Sequence, residues 1–404
     1  MRKYLEWFTN EFDETISEKT KPENWPYVGY SPSEGFAFTI VPELWVTFTA
    51  QQDNSSIGLN KLSTNQTLEY STDTFTWNTF DTTTNISLNK RDKVYIRGVL
   101  SGDNNYYEDY TQFKMTGKIA VSGNCNAIWN YQDLEAPLKA CCGCRMFYGC
   151  ASLITAPELP ATILARYCYD NMFYECANLT TAPVLPATTL APYCYRNMFS
   201  DCSSLTTAPE LLATTLADEC YYGMFGGCTS LTTAPVLPAT ELAVACYCHM
   251  FNGCTSLTAA PELPATMLVS SCYQFMFRNC TSVTTAPELP ATELAAGCYS
   301  NMFSGCTGLT TAPELPATTL ADNCYNSMFE NCTSLTTAPE LPATILARYC
   351  YRNIFGGCTS LTTAPILPAT TLAYYCYYCM FYGCTNLNHI TCLATDISAS
   401  NCTQ

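Results

Sequence analysis

No lysine follows Lys139, no cysteine precedes Cys125, and the only histidines are His249 and His389. The chain also lacks any apolar run long enough to span a bilayer, which takes roughly 20 predominantly apolar residues. Each absence excludes something. A formal net charge of −16 and a lysine-free C-terminal part leave little to neutralise phosphates, which argues against a nucleic-acid partner and against docking on an anionic membrane. Met1 to Phe8 carry charge early and run into Asn10, Glu11, Asp13 and Glu14, so no secretory signal peptide is expected there. Convergent acid, base and nucleophile groups cannot be assembled from the repeated positions, so no enzyme is expected and no cofactor is called for.

What is present is a repeat. Cysteine recurs every 26 residues from Cys150 to Cys384, and a second series runs at the same spacing from Cys142 to Cys402. A fixed period without insertions means stacked coils, each burying its apolar face only against its neighbours. Within a unit two textures alternate. The segment Leu309 to Leu315 is Thr-rich and closes with Pro313 and Pro316, which reads as a short strand pairing in parallel with its copies. From Ala165 to Cys176, positions 165, 168, 169, 172, 173 and 176 barely change between copies, while 166, 167, 170, 171, 174 and 175 change freely. That pattern reads as a short helix with Leu164, Cys168, Met172 and Cys176 facing inward. The expected fold class is therefore an α/β leucine-rich-repeat solenoid of 26-residue coils, one strand and one helix per coil.

The string Met172-Phe173, Cys176, Leu179, Leu185-Pro186 resembles the BspA-like, or Treponema-type, leucine-rich repeats, whose units carry Ala-Phe, Cys, Leu and Ile-Pro in those places. The resemblance covers residues 142–402. The present unit is longer and adds a Cys-Tyr pair. The resemblance implies a surface adhesin; similar repeats in gut-phage genomes extend the expected setting to a virion.

Ahead of the repeat, residues 1–18 place Leu5, Phe8, Phe12 and Ile16 at helical spacing and read as an attachment helix. Residues 19–35 read as a linker or arm. Residues 36–121 hold short alternating segments such as Leu44 to Thr49, Thr67 to Ser71, Phe75 to Trp77, Ile86 to Leu88 and Val94 to Gly98; these suggest an antiparallel all-β sandwich. Residues 122–149 are expected to cap the solenoid and form its first coil, with 150–404 the solenoid proper. Cys402 keeps the register and the chain stops soon after; a polar cap is expected there and none is read, so either a longer natural chain or a partner at this end is expected.

Three side-chain sets invite a chemical reading. Cys141, Cys142 and Cys144, with Cys125, are crowded enough to suggest zinc, but they are read as ladder and cap residues, so no metal is assigned. The ladder cysteines are read as reduced packing residues, because each has two equivalent neighbours and no preferred disulfide partner. Glu158, Glu210, Glu262, Glu288, Glu314 and Glu340 share one position; a cation could sit there, but Val184, Val236 and Ile366 at the same position favour a solvated strip. The changing positions of the helical segment hold Tyr, Arg and Asn. An unconstrained wet face would vary too, but it would also carry lysine. Tyr349, Arg352, Tyr374, Tyr375 and Tyr378 are therefore the expected contact surface, because tyrosine and arginine give broad, adaptable contacts. The ligand class is a protein or glycan on a cell surface, with no membrane insertion. A scaffold or spacer in a larger assembly is the alternative.

The stripe of Leu5, Phe8 and Phe12 is too short to be stable alone. Deleting residues 1–18 is expected to change the oligomeric mass in light scattering, or to abolish incorporation into a particle, while the solenoid stays folded.

Overall fold

The computed structural model describes residues 27–31, 35–38, 43–104 and 108–403. The segment read as an attachment helix, residues 1–18, lies outside them. Two units are distinguished, Met1–Glu43 and Leu44–Gln404. In the first, β1 (Tyr27–Ser31) pairs antiparallel with β2 (Gly35–Phe38). A strand thus stands inside the segment expected to be linker, and its partner belongs to this unit rather than to the sandwich.

The second unit opens with two sheets. Six strands run in the order β11-β10-β3-β8-β5-β6 and three in the order β7-β4-β9. Their ranges are β3 Val46–Ala50, β4 Ser55–Lys61, β5 Gln66–Ser71, β6 Asn78–Thr79, β7 Asn85–Leu88, β8 Lys93–Leu100, β9 Gln112–Thr116, β10 Ile119–Ser122 and β11 Leu153–Thr155. β8 alternates buried and half-open residues along its length, as a strand with one covered face must. Phe48 of β3 meets Phe113 of β9 at 5.0 Å, joining the sheets across a common core. Phe75 to Trp77, expected as strand, instead form a turn held by the Asp73 carboxylate, which accepts from the backbone N–H groups of Phe75 and Thr76 at 2.9 and 2.7 Å.

The repeat departs from the expected helix. Among the described residues the one α-helix is α1, Asn126–Asn130, before the coils begin. In the coil that holds Tyr193 to Cys202, alternate N–H groups go to different places. Those of Cys194, Arg196, Met198, Ser200 and Cys202 donate three residues back, to the carbonyls of Ala191, Tyr193, Tyr195, Asn197 and Phe199. Those of Tyr193, Tyr195, Asn197, Phe199 and Asp201 donate to the next coil, to the carbonyls of Asp218, Cys220, Tyr222, Met224 and Gly226 at 2.7–3.0 Å. An α-helix would keep every bond to itself, four residues back. Here half of them leave the coil, so the segment is a chain of β-turns laid on the next one.

The dihedrals agree. Every fourth residue is left-handed: Tyr193 at φ 63, Asn197 at φ 49 and Asp201 at φ 59, and likewise in the other coils. No helix accommodates such a residue at each turn. The sequence pattern was kept at a period of four without drift, whereas a 3.6-residue helix would slip by roughly 40° for every four residues. The inward residues are those expected. Cys168, Tyr169, Met172, Phe173 and Cys176 and their copies are buried, apart from Phe381 in the last coil, which is half-buried.

The Thr-Pro segments do lie parallel, but as isolated bridges such as Thr207↔Thr233, Thr285↔Thr311 and Thr337↔Thr363. Proline removes the donors a continuous ladder needs. Only β11 of the first coil is a strand, and it pairs in parallel with β10 of the sandwich.

Two aromatic columns run up the interior. Phe147, Phe173 and their copies to Phe381 stack with ring centroids 5.5–5.9 Å apart. Tyr169 and its copies to Tyr377 stack at 5.7–6.1 Å. These are offset stacks, the favourable arrangement for parallel rings. The Phe column continues into the sandwich, where Phe147 stacks on Phe113 at 5.2 Å. The sandwich also meets the carbonyls that the first coil turns away from its neighbour. Asn104 N–H donates to Ala140 O, Phe113 N–H to Met146 O, and Gln112 Nε2 to Tyr148 O. The cap is thus the sandwich itself, together with α1, whose Trp129 lies 5.9 Å from Tyr169.

All cysteines outside the two exceptions Cys379 and Cys392 are buried, and none is bonded to another. In one ladder each thiol from Cys176 to Cys384 donates to the Phe carbonyl of the preceding coil at 3.0–3.1 Å. Thiol titration of freshly unfolded, unreduced protein is expected to find the ladder cysteines free; finding them oxidised would overturn this reading. A second test concerns the left-handed positions. A Cβ at Gly305 (φ 75) would meet Asn279 Oδ1 at 2.2 Å, whereas Gly253 (φ 77) has only the Gly227 backbone near it, at 3.8 Å. Both Gly→Ala changes carry the left-handed cost of roughly 1–2 kcal/mol. Gly305→Ala is expected to lower the urea midpoint further than Gly253→Ala.

Candidate recognition surface

The three left-handed columns put the changing side chains on the outside of the turns. The third column, Gly149, Glu175, Asp201, Gly227, Gly253, Asn279, Gly305, Asn331, Gly357 and Gly383, is mostly Gly, Asn and Asp. Those are the residues that tolerate positive φ. That composition was the sequence signal for turns in place of a helix.

The five residues expected to make contact come together. Tyr349 lies 5.4 Å from Tyr374 and 5.3 Å from Tyr375. Tyr375 meets Tyr374 at 4.5 Å and Tyr378 at 4.9 Å. The Arg352 guanidinium sits 5.9 Å from the Tyr349 ring and 5.8 Å from Tyr378, and Arg348 adds a second cation over Tyr374 at 5.2 Å. Arg352 and Tyr374 are exposed, while Tyr349, Tyr375 and Tyr378 half-bury one another. A hydrogen bond with Tyr349 raises the Tyr374 phenol above its ordinary pKa, and contact with the Cys379 thiol raises Tyr378. Both tyrosines therefore remain neutral donors at physiological pH. Beside the cluster is a shallow depression of about 370 Å³ lined by Asn326, Glu330, Arg352, Asn353, Tyr378 and Tyr382.

Other outer positions are less open than expected. Asp170 is fully buried; its Oδ1 accepts from Arg196 Nε at 2.9 Å, and Arg196 also reaches Glu219 at 3.6 Å. His249 is half-buried, stacked on Phe275 at 4.5 Å, and burial followed by the nearby Arg278 lowers its pKa. His389 is exposed. The glutamates at 158, 210, 262, 288, 314 and 340 are all exposed. Cys125 and Cys142 join the main core, but Cys141 and Cys144 pack apart from it. Among the described residues no three His, Cys, Asp or Glu side chains gather as metal ligands would, and no helix is long and apolar enough to cross a membrane.

Stacked 26-residue coils with a nearly constant interior and a changing outer face define a repeat solenoid of the kind used for macromolecular interaction. The particular kind follows from the repeat itself. The family model for the BspA type leucine-rich repeat region matches in six copies over residues 140–248, 221–362 and 298–402, and the chain belongs to that family. Repeats of this family point to protein interaction or adhesion, and the family is in general not enzymatic. No curated protein and no solved structure matched the chain significantly.

The Asp170–Arg196 pair ties two coils together under the outer face. Asp170→Ala is expected to destabilise the solenoid, toward the low end of the ~3–5 kcal/mol lost when one member of a buried ion pair is removed. Arg196 keeps some solvent and a second carboxylate, which moderates the loss. Urea unfolding monitored by tyrosine fluorescence measures it.

Proposed function

We propose that this chain is a non-enzymatic recognition protein that binds a protein or glycan on a cell surface through the tyrosine–arginine cluster of its last coils. The observation that supports the reading most is the convergence of Tyr349, Arg352, Tyr374, Tyr375 and Tyr378 from two successive coils into one patch beside a concavity. Tyrosine and arginine dominate binding hot spots because they bury large area at small entropic cost and keep a polar handle. The opposite, Thr-rich face repeats nearly the same residues in each coil and so offers little to discriminate one ligand from another. The acidic chain fits a partner whose contact region is neutral or basic. Display at a cell surface or on a virion is part of the same proposal.

The test uses the full chain on a panel of intact cells and a glycan array. Changing Tyr349, Tyr374, Tyr375 and Tyr378 to Ser and Arg352 to Ala is expected to leave the circular dichroism unchanged and to weaken any binding more than tenfold, since each hot-spot residue carries roughly 1–2 kcal/mol or more. Binding that survives this change but is lost when the exposed threonines and glutamates of the Thr-Pro segments are replaced would place the reader on the other face.

A further inference from the structure

Cys141 and Cys144 occupy two outer repeat positions whose side chains meet in several coils. Their counterparts Tyr193 and Arg196 lie 5.0 Å apart, ring to guanidinium. Asn326 Nδ2 donates to Asn323 Oδ1 at 3.3 Å. Tyr375 and Tyr378 have centroids 4.9 Å apart. In the first coil the same two places hold thiols. The turn between them is closed by Cys144 N–H donating to Cys141 O at 3.2 Å. A turn of that kind keeps its end Cα atoms within about 7 Å, in the range of ~4.4–6.8 Å that a disulfide spans. Both side chains are buried against each other and roofed by Tyr167, apart from the main core.

Spacing alone does not make such a pair. Cys376 and Cys379 are also three residues apart, but Cys376 is buried in the inner ladder, where its thiol donates to Cys402 O at 3.8 Å, and Cys379 is half-exposed at an outer position. The ladder thiols form one-per-coil columns in which every sulfur has two equivalent neighbours. Only Cys141 and Cys144 combine one turn, one face and mutual contact.

We propose that Cys141 and Cys144 are a redox modification site, closing to an intra-turn disulfide by exchange with a small disulfide such as glutathione disulfide while the ladder thiols stay reduced. One cysteine thiolate attacks a sulfur of glutathione disulfide, forming a mixed disulfide and releasing a glutathione thiolate. The second cysteine attacks the protein sulfur of that mixed disulfide, the protein disulfide forms, and the second glutathione leaves. Two electrons pass from the protein to the oxidant, and the two thiol protons end on the two glutathiones. Exchange proceeds through thiolates. Burial first, then the nearby Asp170, holds Cys144 in its thiol form, so closure waits on opening of the first turn or precedes its docking on the second coil.

The experiment equilibrates the full chain in glutathione buffers of increasing oxidation, blocks thiols under denaturing conditions, and sequences the peptides by mass spectrometry. The peptide with Cys141 and Cys144 is expected to lose two hydrogens with a bond between those sulfurs, while Cys142, the ladder cysteines and the Cys376/Cys379 pair are blocked as free thiols. Exposed Cys392 reports the oxidising strength by taking up glutathione. In Cys141→Ser and Cys144→Ser the two-hydrogen loss is expected to vanish with the circular dichroism unchanged. The proposal is overturned if Cys141 and Cys144 remain blocked as thiols where Cys392 is modified, or if Cys142 is the bonded partner.

Discussion

The architecture depends on the division of backbone donors between two coils. Alternate N–H groups close turns within a coil and the remainder reach the next one, as Tyr195 N–H does to Cys220 O at 3.0 Å. Buried donors and acceptors must be paired, so one coil cannot satisfy its own backbone. The stack is the smallest unit that does. The interior follows from this: with the backbone of each coil fixed to the next, identical side chains superpose, and Phe, Tyr and Cys form continuous columns. A column tolerates little variety, because a smaller ring or a missing thiol opens a void bordered on both sides by its copies.

The first coil meets the same demand at the other edge. Its outward carbonyls would have only water to accept from if the stack began in solvent. Phe113, Gln112 and Asn104 of the sandwich meet them, and Phe113 continues the Phe column by one ring. The sandwich is thus an end-piece built from unrelated residues that matches the repeat in both hydrogen bonding and ring spacing.

Much of this was readable in the sequence. The 26-residue period gave the stack, and the unchanging Cys168, Tyr169, Met172, Phe173 and Cys176 gave the inner face, because burial against identical neighbours restricts a position strongly. The assignment of a helix failed because two-in, two-out alternation is shared by a helix and by a run of four-residue turns. The discriminating information lay in the Gly, Asn and Asp at 201, 227, 279, 305, 331 and 357 and in the absence of drift. The buried Asp170 was hidden for a different reason: its partner Arg196 is 26 residues away and its position varies from coil to coil. The tyrosine cluster was legible because its members share outer positions in successive coils, and stacking makes such positions neighbours.

The Asn and Gly of the third left-handed column carry a consequence for how such a chain can change in length. Asp201, Asn279 and Asn331 each lay their side chain where the next coil has Gly227, Gly305 and Gly357, and a Cβ there would fall 2.1–2.2 Å from the oxygen. The fit is local to these three pairs, because Glu175 and Asp201 hold the same position in successive coils without a glycine between them. Removing the single coil that holds Gly305 would set Asn279 beneath Asn331, and the Asn279 side chain would have to turn aside; removing that coil together with the one holding Asn331 would leave an Asn beneath Gly357, as now.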